Sequence, residues 1–271
     1  MGIFPWVKSE DESCWKGWGL SISLRTAHLT HRINRFDRIN RALRSLVAPL
    51  LPQDCFLCSA AATDDLLCPS CSRELPRLSR VCCPVCALPT PQGETCGACL
   101  KQAPHFDATL SCFSYHFPVD SLVKALKYQH RLVVADFLAQ ALAEALPSPA
   151  DMPPADLLLA LPLSAQRLRQ RGFNQALEIA RPLARRLGLP LLAEGTTRVI
   201  DTAPQASLPW KERHSNIRGA FECALDLTGK SVIVVDDVMT TGATLNEFAR
   251  TLKKHGARHV INWVAARALR H

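Results

Sequence analysis

Residues 232–245 read V-I-V-V-D-D-V-M-T-T-G-A-T-L. The apolar run at 232–235 predicts a strand that is buried on both faces, and residues 245–255 have the pattern of a helix. Two carboxylates, Asp236 and Asp237, stand at the carboxyl end of that strand. The small residues between strand and helix offer N–H groups and hydroxyls to a phosphate at the helix N-terminus. The plainer alternative is an ordinary connection with exposed acidic residues.

This segment resembles the 5-phosphoribosyl 1-diphosphate (PRPP) signature of type I phosphoribosyltransferases. The resemblance implies that Asp236 and Asp237 face the ribose hydroxyls, where Mg²⁺ accompanies PRPP. It also implies a loop that holds the 5′-phosphate. The residues that it assigns to PRPP binding in this segment are Val238, Met239, Thr240, Thr241, Gly242, Ala243 and Thr244.

The length and composition indicate a globular protein, and its net charge favours phosphate-bearing partners. The chain has 271 residues, 48% of them hydrophobic, which predicts one or two domains with a sizeable core. No apolar run is long enough to cross a membrane and no signal-peptide pattern is present, so we predict a cytoplasmic protein. The net charge of +8 favours anionic ligands and is compatible with nucleic acid without requiring it.

Residues 1–50 differ in texture from the rest and are predicted to be a poorly ordered extension. Within them, residues 30–46 alternate apolar side chains with five arginines in the pattern of a basic amphipathic helix. Such a helix contacts either the rest of the protein or, alternatively, a membrane surface or nucleic acid.

Residues 51–104 are predicted to form a double zinc ribbon. They contain four Cys-x-x-Cys units, and two such units complete one tetrahedral site that is closed to catalysis. The eight predicted ligands are Cys55, Cys58, Cys68, Cys71, Cys83, Cys86, Cys96 and Cys99. Pairing in sequential order closes the shorter loops and is preferred. A crossed pairing, redox chemistry and Cys82 as a substitute ligand are the alternatives.

Residues 105–271 alternate strands and helices, which predicts a parallel sheet covered by helices on both faces, with ligand at the carboxyl ends of the strands. Strands are predicted at 108–117, 156–161, 197–200 and 259–264, and helices within 119–147 and at 173–187. Three arginines and a glycine in residues 167–172 predict a second anion-binding loop, because arginine bonds two oxygens of a diphosphate at once. A solvated basic turn is the alternative.

The motifs P-L-S…R-G-F-N-Q, T-x-P-Q…R-x-x-N-x-x-G-A-F and V-D-D-V-M-T-T-G-A-T, behind paired cysteines, together resemble the ComF competence family. The resemblance spans residues 51–267 and implies an α/β fold of the type I phosphoribosyltransferase class with an N-terminal zinc-ribbon domain. It implies that Arg171 acts with Asp236 and Asp237 in catalysis. The further PRPP-binding residues that we predict are Lys127, Leu163, Ser164, Gly172, Asn174 and Gln175, with Gln205, Arg213 and Asn216 on a mobile loop.

The function predicted from the sequence is PRPP binding with Mg²⁺ and transfer of the ribosyl 5-phosphate to an unidentified acceptor, in DNA uptake or DNA utilisation. No residue stands out as the base that deprotonates an acceptor. A PRPP sensor without turnover is therefore one alternative. The other is a competence factor that binds single-stranded DNA and other competence proteins, although an aromatic content of 6% offers little surface for stacking bases.

Overall fold

A computed structural model describes residues 53–62, 65–145, 155–201 and 217–269. The predicted basic helix at 30–46 lies outside this described part. So do the predicted loop residues Gln205, Arg213 and Asn216.

The N-terminal region consists of two small units of the same design. Their regular elements are β1 (Gln53–Asp54), β2 (Ala61–Ala62), α1 (Pro69–Arg73) and α2 (Gly97–Lys101). In each unit a tight turn carries the first Cys-x-x-Cys pair, with Ser59 N donating to Cys55 O at 2.9 Å and Ala87 N donating to Cys83 O at 2.9 Å. The second pair begins at the residue before a short helix, Cys68 for α1 and Cys96 for α2. The repeated cysteine spacing is therefore a repeated structure.

The rest of the described chain alternates strands and helices. The strands are β3 (Ala108–Ser114), β4 (Leu157–Ala160), β5 (Leu191–Leu192), β6 (Thr196–Arg198), β7 (Phe221–Cys223), β8 (Ser231–Met239) and β9 (His259–Arg267). The helices are α3 (Val119–Gln129), α4 (Val133–Glu144), α5 (Ala165–Arg171), α6 (Gln175–Leu187) and α7 (Ala243–Lys254).

A five-stranded sheet forms the centre, in the order β3-β9-β8-β4-β5, and all of its neighbouring strands are parallel. The connection from β3 to β4 and the connection from β8 to β9 run in opposite directions along the sheet. Because such crossovers are right-handed, α4 and α7 lie on opposite faces. Helices α4 and α6 pack against each other and α7 packs on β9. The predicted parallel sheet flanked by helices is confirmed.

The apolar run at residues 232–235 lies at the middle of this sheet. Residues 232–235 are fully buried between β4 and β9, as a strand that is covered on both faces requires. The strand continues past the apolar run to Met239. Asp236 and Asp237 therefore lie within the strand, near its carboxyl end, and not after it. The backbone pairing of Asp236 with Val264 and of Val238 with Ala266 in β9 thereby fixes the strand on either side of Asp237.

The outer edge of the sheet is covered by the segment that joins the two N-terminal units. Leu78 N donates to Cys112 O at 2.9 Å and Ser114 N donates to Pro76 O at 2.8 Å, so this segment pairs with β3. Covering an edge strand removes the unpaired backbone groups that promote association between sheets. The N-terminal units and the sheet consequently share one apolar core.

Candidate functional site

A cleft of about 230 Å³ opens at the carboxyl ends of β4 and β8, which are neighbours in the sheet. The predicted site residues that line it are Lys127, Leu163, Arg171, Gln175, Asp236, Asp237, Val238, Met239, Thr240, Thr241, Gly242, Ala243 and Thr244. These residues come from three distant parts of the sequence. The topology brings them together because parallel strands end on the same edge of the sheet.

The acidic pair is joined to a lysine from α3. Lys127 Nζ lies 2.6 Å from Asp237 Oδ2, and the two side chains are 17% and 4% exposed. Burial lowers the pKa of Lys127, but the carboxylate of Asp237 outweighs it, so the pKa of this lysine is raised above its ordinary value. Lys127 is therefore a fixed positive charge at the floor of the cleft.

Asp236 is buried beside another carboxylate, which disfavours its ionised form. Burial raises its pKa well above the ordinary value, and the neighbouring Asp237 carboxylate raises it further. Lys127 and the N–H of Asp237, which donates to Asp236 Oδ1 at 2.8 Å, act in the opposite direction. An incoming group that offers hydroxyl donors or positive charge would stabilise the ionised form of Asp236.

The connection from β8 to α7 has the geometry of a phosphate-binding loop. Gly242 has φ +81° and is the N-cap residue, directly before the first residue of α7. The positive φ favours glycine, and a Cβ atom on Gly242 would lie 2.5 Å from Met239 Cε, so the end of the Met239 side chain would have to move. The N-terminus of α7 thus points into the cleft with its positive dipole end available to an anion.

The basic segment after β4 differs from the predicted loop. Residues 165–171 form the short helix α5, which Ser164 caps by accepting from Arg167 N at 3.4 Å. The helix ends at Gly172, with φ +76°. Residues three or four apart in a helix share one face. The helix therefore places both Arg167 and Arg171 on the wall of the cleft, an alignment that a loop would not impose.

Three predicted PRPP-binding residues of this region carry structural roles. Ser164 caps α5 and Gly172 ends it, while Asn174 caps α6 by accepting from Ala176 N at 3.0 Å. Asn174 also donates to Leu161 O at 3.0 Å. These contacts position Arg171 and Gln175, which hydrogen-bond to each other at 2.8 Å across the cleft wall. Direct contact of the three residues with PRPP stays a prediction.

Sequence reasoning missed other residues that shape the cleft. Arg198 and Tyr115 line it, and Arg198 is only 8% exposed. Burial, followed by the nearby charge of Arg167, lowers the pKa of Arg198. Arg267 lies behind the loop and donates to its carbonyl groups. None of the three belongs to a recognisable motif, since each reaches the site from a strand or strand end remote in sequence.

The eight cysteines of the four Cys-x-x-Cys units form two clusters. The first contains Cys55, Cys58, Cys68 and Cys71, and the second contains Cys83, Cys86, Cys96 and Cys99. All sulfurs within a cluster lie within 4.8 Å of one another. A tetrahedral zinc site with Zn–S bonds of ~2.3 Å has sulfurs about 3.8 Å apart.

The observed separations fit that geometry. Cys58 Sγ and Cys68 Sγ are 3.7 Å apart, and Cys86 Sγ and Cys96 Sγ are 3.6 Å apart, much too far for a disulfide. The clusters support two structural zinc sites, and the preferred sequential pairing is confirmed. Cys82 is not among the cysteines of the second cluster.

None of the helices in the described part of the chain combines the length and the apolar character that crossing a membrane requires.

Comparison with protein families also separates the region of the cysteine clusters from the region of the parallel sheet. Residues 46–100 match the double zinc ribbon domain, and residues 174–270 match the phosphoribosyl transferase domain. The first match contains both cysteine clusters. The second contains Gln175, the acidic pair and the loop that leads into α7.

Comparison with individual proteins finds relatives that match most of the chain. The chain is 34% identical over 225 residues to the DNA utilization protein YhgH of Salmonella typhi, covering 81% of this chain and 99% of that protein. It is 34% identical to Competence protein F of Haemophilus influenzae, covering 64% of this chain and 78% of that protein. It is 25% identical to Competence protein ComFC of Bacillus subtilis, covering 71% and 80%.

Proposed function

We propose that this chain, which belongs to the ComF family of competence and DNA utilization proteins, binds PRPP with Mg²⁺ in the cleft between β4 and β8. We propose further that it transfers the ribosyl 5-phosphate of PRPP to an acceptor. The observation that carries the proposal is the meeting of an acidic pair, a phosphate-type loop and four basic side chains in one cleft. Those basic residues are Lys127, Arg167, Arg171 and Arg198.

The distribution of charge in the cleft suits a ligand with two anionic ends and a polar middle. The N-terminus of α7 and residues 240–244 would hold the 5′-phosphate. On the other wall, Arg171 and Arg167 would hold the diphosphate, since a guanidinium bonds two oxygens at once. Between the two walls, Asp236 and Asp237 would accept hydrogen bonds from the ribose hydroxyls.

Transfer would break the bond between ribose C1 and the diphosphate oxygen and form a bond between C1 and the acceptor. The ribose gains positive charge as the first bond breaks, and Asp236 and Asp237 would stabilise that charge electrostatically. The leaving diphosphate gains negative charge, which Arg171 would stabilise. When bound, Mg²⁺ supplies further positive charge for the diphosphate oxygens; the acidic pair is the oxygen ligand set that it prefers.

Lys127 is placed to take part in ligand exchange. Its ammonium pairs with Asp237 at 2.6 Å. A ribose or Mg²⁺ that approaches Asp237 must share or replace this contact, and a released Lys127 ammonium would then face the diphosphate. Its raised pKa keeps it protonated, so it serves as a cation and not as the base for the acceptor.

A turnover assay separates transferase from sensor. Diphosphate release from PRPP is measured over a panel of nucleobases, nucleosides, ammonia and DNA fragments. For a transferase, at least one acceptor releases diphosphate, and Asp236→Asn and Asp237→Asn reduce the rate more than they reduce PRPP affinity. Bound PRPP with no release across the panel would identify a sensor.

A second candidate function, binding of single-stranded DNA, is favoured by one surface beside the cleft. The guanidinium of Arg171 lies 5.5 Å from the ring centre of Tyr128, and the rings of His130 and Phe173 are 5.4 Å apart. Tyr128 is 66% exposed. Arg169, two residues before Arg171 in α5, is also exposed. Few aromatic residues are present in the chain, but several of them are gathered with arginines where a strand of bases and phosphates would reach the cleft.

Matched substitutions test this candidate. Tyr128→Ala should weaken binding of a fluorescent single-stranded oligonucleotide by about fivefold or more, because base stacking on an aromatic ring contributes ~1–3 kcal/mol. Phe117→Ala is the control, since Phe117 is 73% exposed and precedes α3, whereas Tyr128 lies at its far end. Equal effects of the two substitutions would rule out this surface.

A further inference from the structure

Arg267, at the end of β9, connects the second zinc cluster to the loop of the cleft. Its Nε donates to Cys86 O at 2.8 Å, and Cys86 is a ligand of the second cluster. Its Nη1 donates to Met239 O at 3.0 Å and also to Thr240 O, at the start of the loop. The side chain is 3% exposed. A buried guanidinium is tolerated only when its donors are satisfied, so both ends of this bridge are needed.

The chain that leaves the second cluster makes further contacts with the same region. His105 N donates to Asn246 Oδ1, on the first turn of α7, at 2.6 Å. The ring of Phe106 packs beside Gly242, 3.8 Å from the position of a Cβ atom. Asp107 then pairs with Lys253 at 2.8 Å, near the other end of α7. The segment after Cys99 therefore fastens α7 along its length.

The two cysteine clusters differ in how they are connected to the loop of the cleft. The first cluster is followed by residues 76–78, which pair with the outer edge of β3. Strands β3 and β9 lie between this attachment and β8, so the attachment is about 14 Å from the loop-bearing strand, at ~4.8 Å per strand. The second cluster contacts the loop itself through Cys86 O and Arg267.

From these contacts we propose that Arg267 is a positioning residue for the phosphate loop, and that zinc at the second cluster and a phosphate ligand at the loop stabilise each other's binding. The ligand side of this coupling rests on the proposed function. Zinc fixes the turn that holds the Cys86 carbonyl, the carbonyl orients Arg267, and Arg267 fixes the carbonyls of residues 239 and 240. With the carbonyls fixed, the amides that follow are directed into the cleft.

Such coupling is reciprocal by linkage. If zinc at the second cluster raises the affinity for PRPP by some factor, PRPP raises the affinity of that cluster for zinc by the same factor. Loss of the second zinc, by chelation or by oxidation of its thiolates, would thereby release PRPP. Loss of the first zinc should have a much smaller effect.

The test compares full-length Cys96→Ser with Cys58→Ser, which each disable one cluster, and adds Arg267→Lys, which keeps all eight cysteines. Hydrogen exchange of residues 240–246 is followed by mass spectrometry, without ligand. PRPP affinity is measured by calorimetry. Zinc release to a chelator is measured from Cys58→Ser protein, which retains the second cluster, with and without PRPP.

We expect faster exchange in residues 240–246 for Cys96→Ser and Arg267→Lys than for Cys58→Ser. We expect PRPP affinity to fall about tenfold or more in the first two, within the range usual for coupled sites, and PRPP to raise zinc affinity correspondingly. Equal effects of the two cysteine substitutions, or wild-type exchange in Arg267→Lys, would overturn the coupling. Wild-type protein that fails to bind PRPP would overturn the proposed function instead, while the exchange measurements would still decide whether the second cluster supports the loop.

Discussion

At the scale of residues, the ion pair between Lys127 and Asp237 joins two charges that are both largely out of solvent. Each charge loses hydration on folding, and the pair compensates only while both partners are present. Asp236 stands next to it, and its burial and the charge of Asp237 raise its pKa, so a second negative charge is disfavoured at the cleft floor. This arrangement reduces stability without ligand and favours binding of a partner that relieves the repulsion.

Removing one partner of the pair should be costly. Lys127→Met keeps the length of the side chain but leaves Asp237 buried and unpaired, and we expect unfolding free energy to fall by about 3 kcal/mol. In the double variant Lys127→Met/Asp237→Asn, the loss should be smaller than the sum of the two single losses. Urea unfolding of the four proteins measures the cycle, and strict additivity would contradict the pairing.

Asp236 should make stability depend on pH in a defined direction. Because its pKa in the folded protein lies above the ordinary value, folding favours the protonated form, and the stability that this contributes is lost as pH rises through the folded pKa. Asp236→Asn cannot ionise and keeps the Oδ1 acceptor. In melts from pH 5 to pH 8, the melting temperature of this variant should therefore exceed that of wild type by an amount that grows until pH passes the folded pKa of Asp236, at roughly 2–4 °C for each kcal/mol.

The matched control is Asp226→Asn. Asp226 is exposed, and hydrogen bonds from Thr228 lower its pKa, so it is already ionised throughout this pH interval. Its difference in melting temperature from wild type should stay constant from pH 5 to pH 8. A constant difference for Asp236→Asn as well would contradict the assigned pKa direction.

At the scale of elements, the junction of β8 and α7 depends on one glycine. Gly242→Ala combines an unfavourable positive φ with a contact of 2.5 Å to Met239 Cε. Gly229→Ala has the unfavourable φ but no close contact, since Gly229 has φ +71° and no atom lies within 4 Å of an added Cβ. We expect both variants to lose stability by about 1 kcal/mol or more. Only Gly242→Ala should also weaken PRPP binding strongly in calorimetry; similar affinities in the two variants would contradict the loop assignment.

The elements that sequence predicted best are those with strong local signals. The fully apolar run at 232–235 and the amphipathic pattern of α6 are determined by the residues themselves, and the structure contains both elements. The basic segment at 167–171 was wrongly expected to be a loop, because its arginines obscured a seven-residue helix defined by a serine cap and a glycine end. The contacts of Lys127, Arg198 and Arg267 could not be predicted, since each depends on tertiary placement and not on neighbouring residues.

At the scale of the whole molecule, the two ribbons and the sheet share one core, and metal should therefore contribute to folding. Purified wild-type protein should contain about two zinc ions per chain by elemental analysis, because closed sites of four thiolates bind zinc tightly. A chelator strong enough to remove them should lower the melting temperature. Protein prepared with reductant and ample zinc that contained none would refute the assignment of the clusters.

The whole account depends on PRPP binding in the cleft between β4 and β8, and isothermal calorimetry of wild-type protein with PRPP, with and without Mg²⁺, tests it most directly. Asp237→Asn and Phe117→Ala are titrated beside it, the latter as a surface control away from the acidic pair. We expect one PRPP bound per chain, tighter with Mg²⁺ and weakened by Asp237→Asn but not by Phe117→Ala. Absence of binding with Mg²⁺, or binding that Asp237→Asn leaves unchanged, would contradict it.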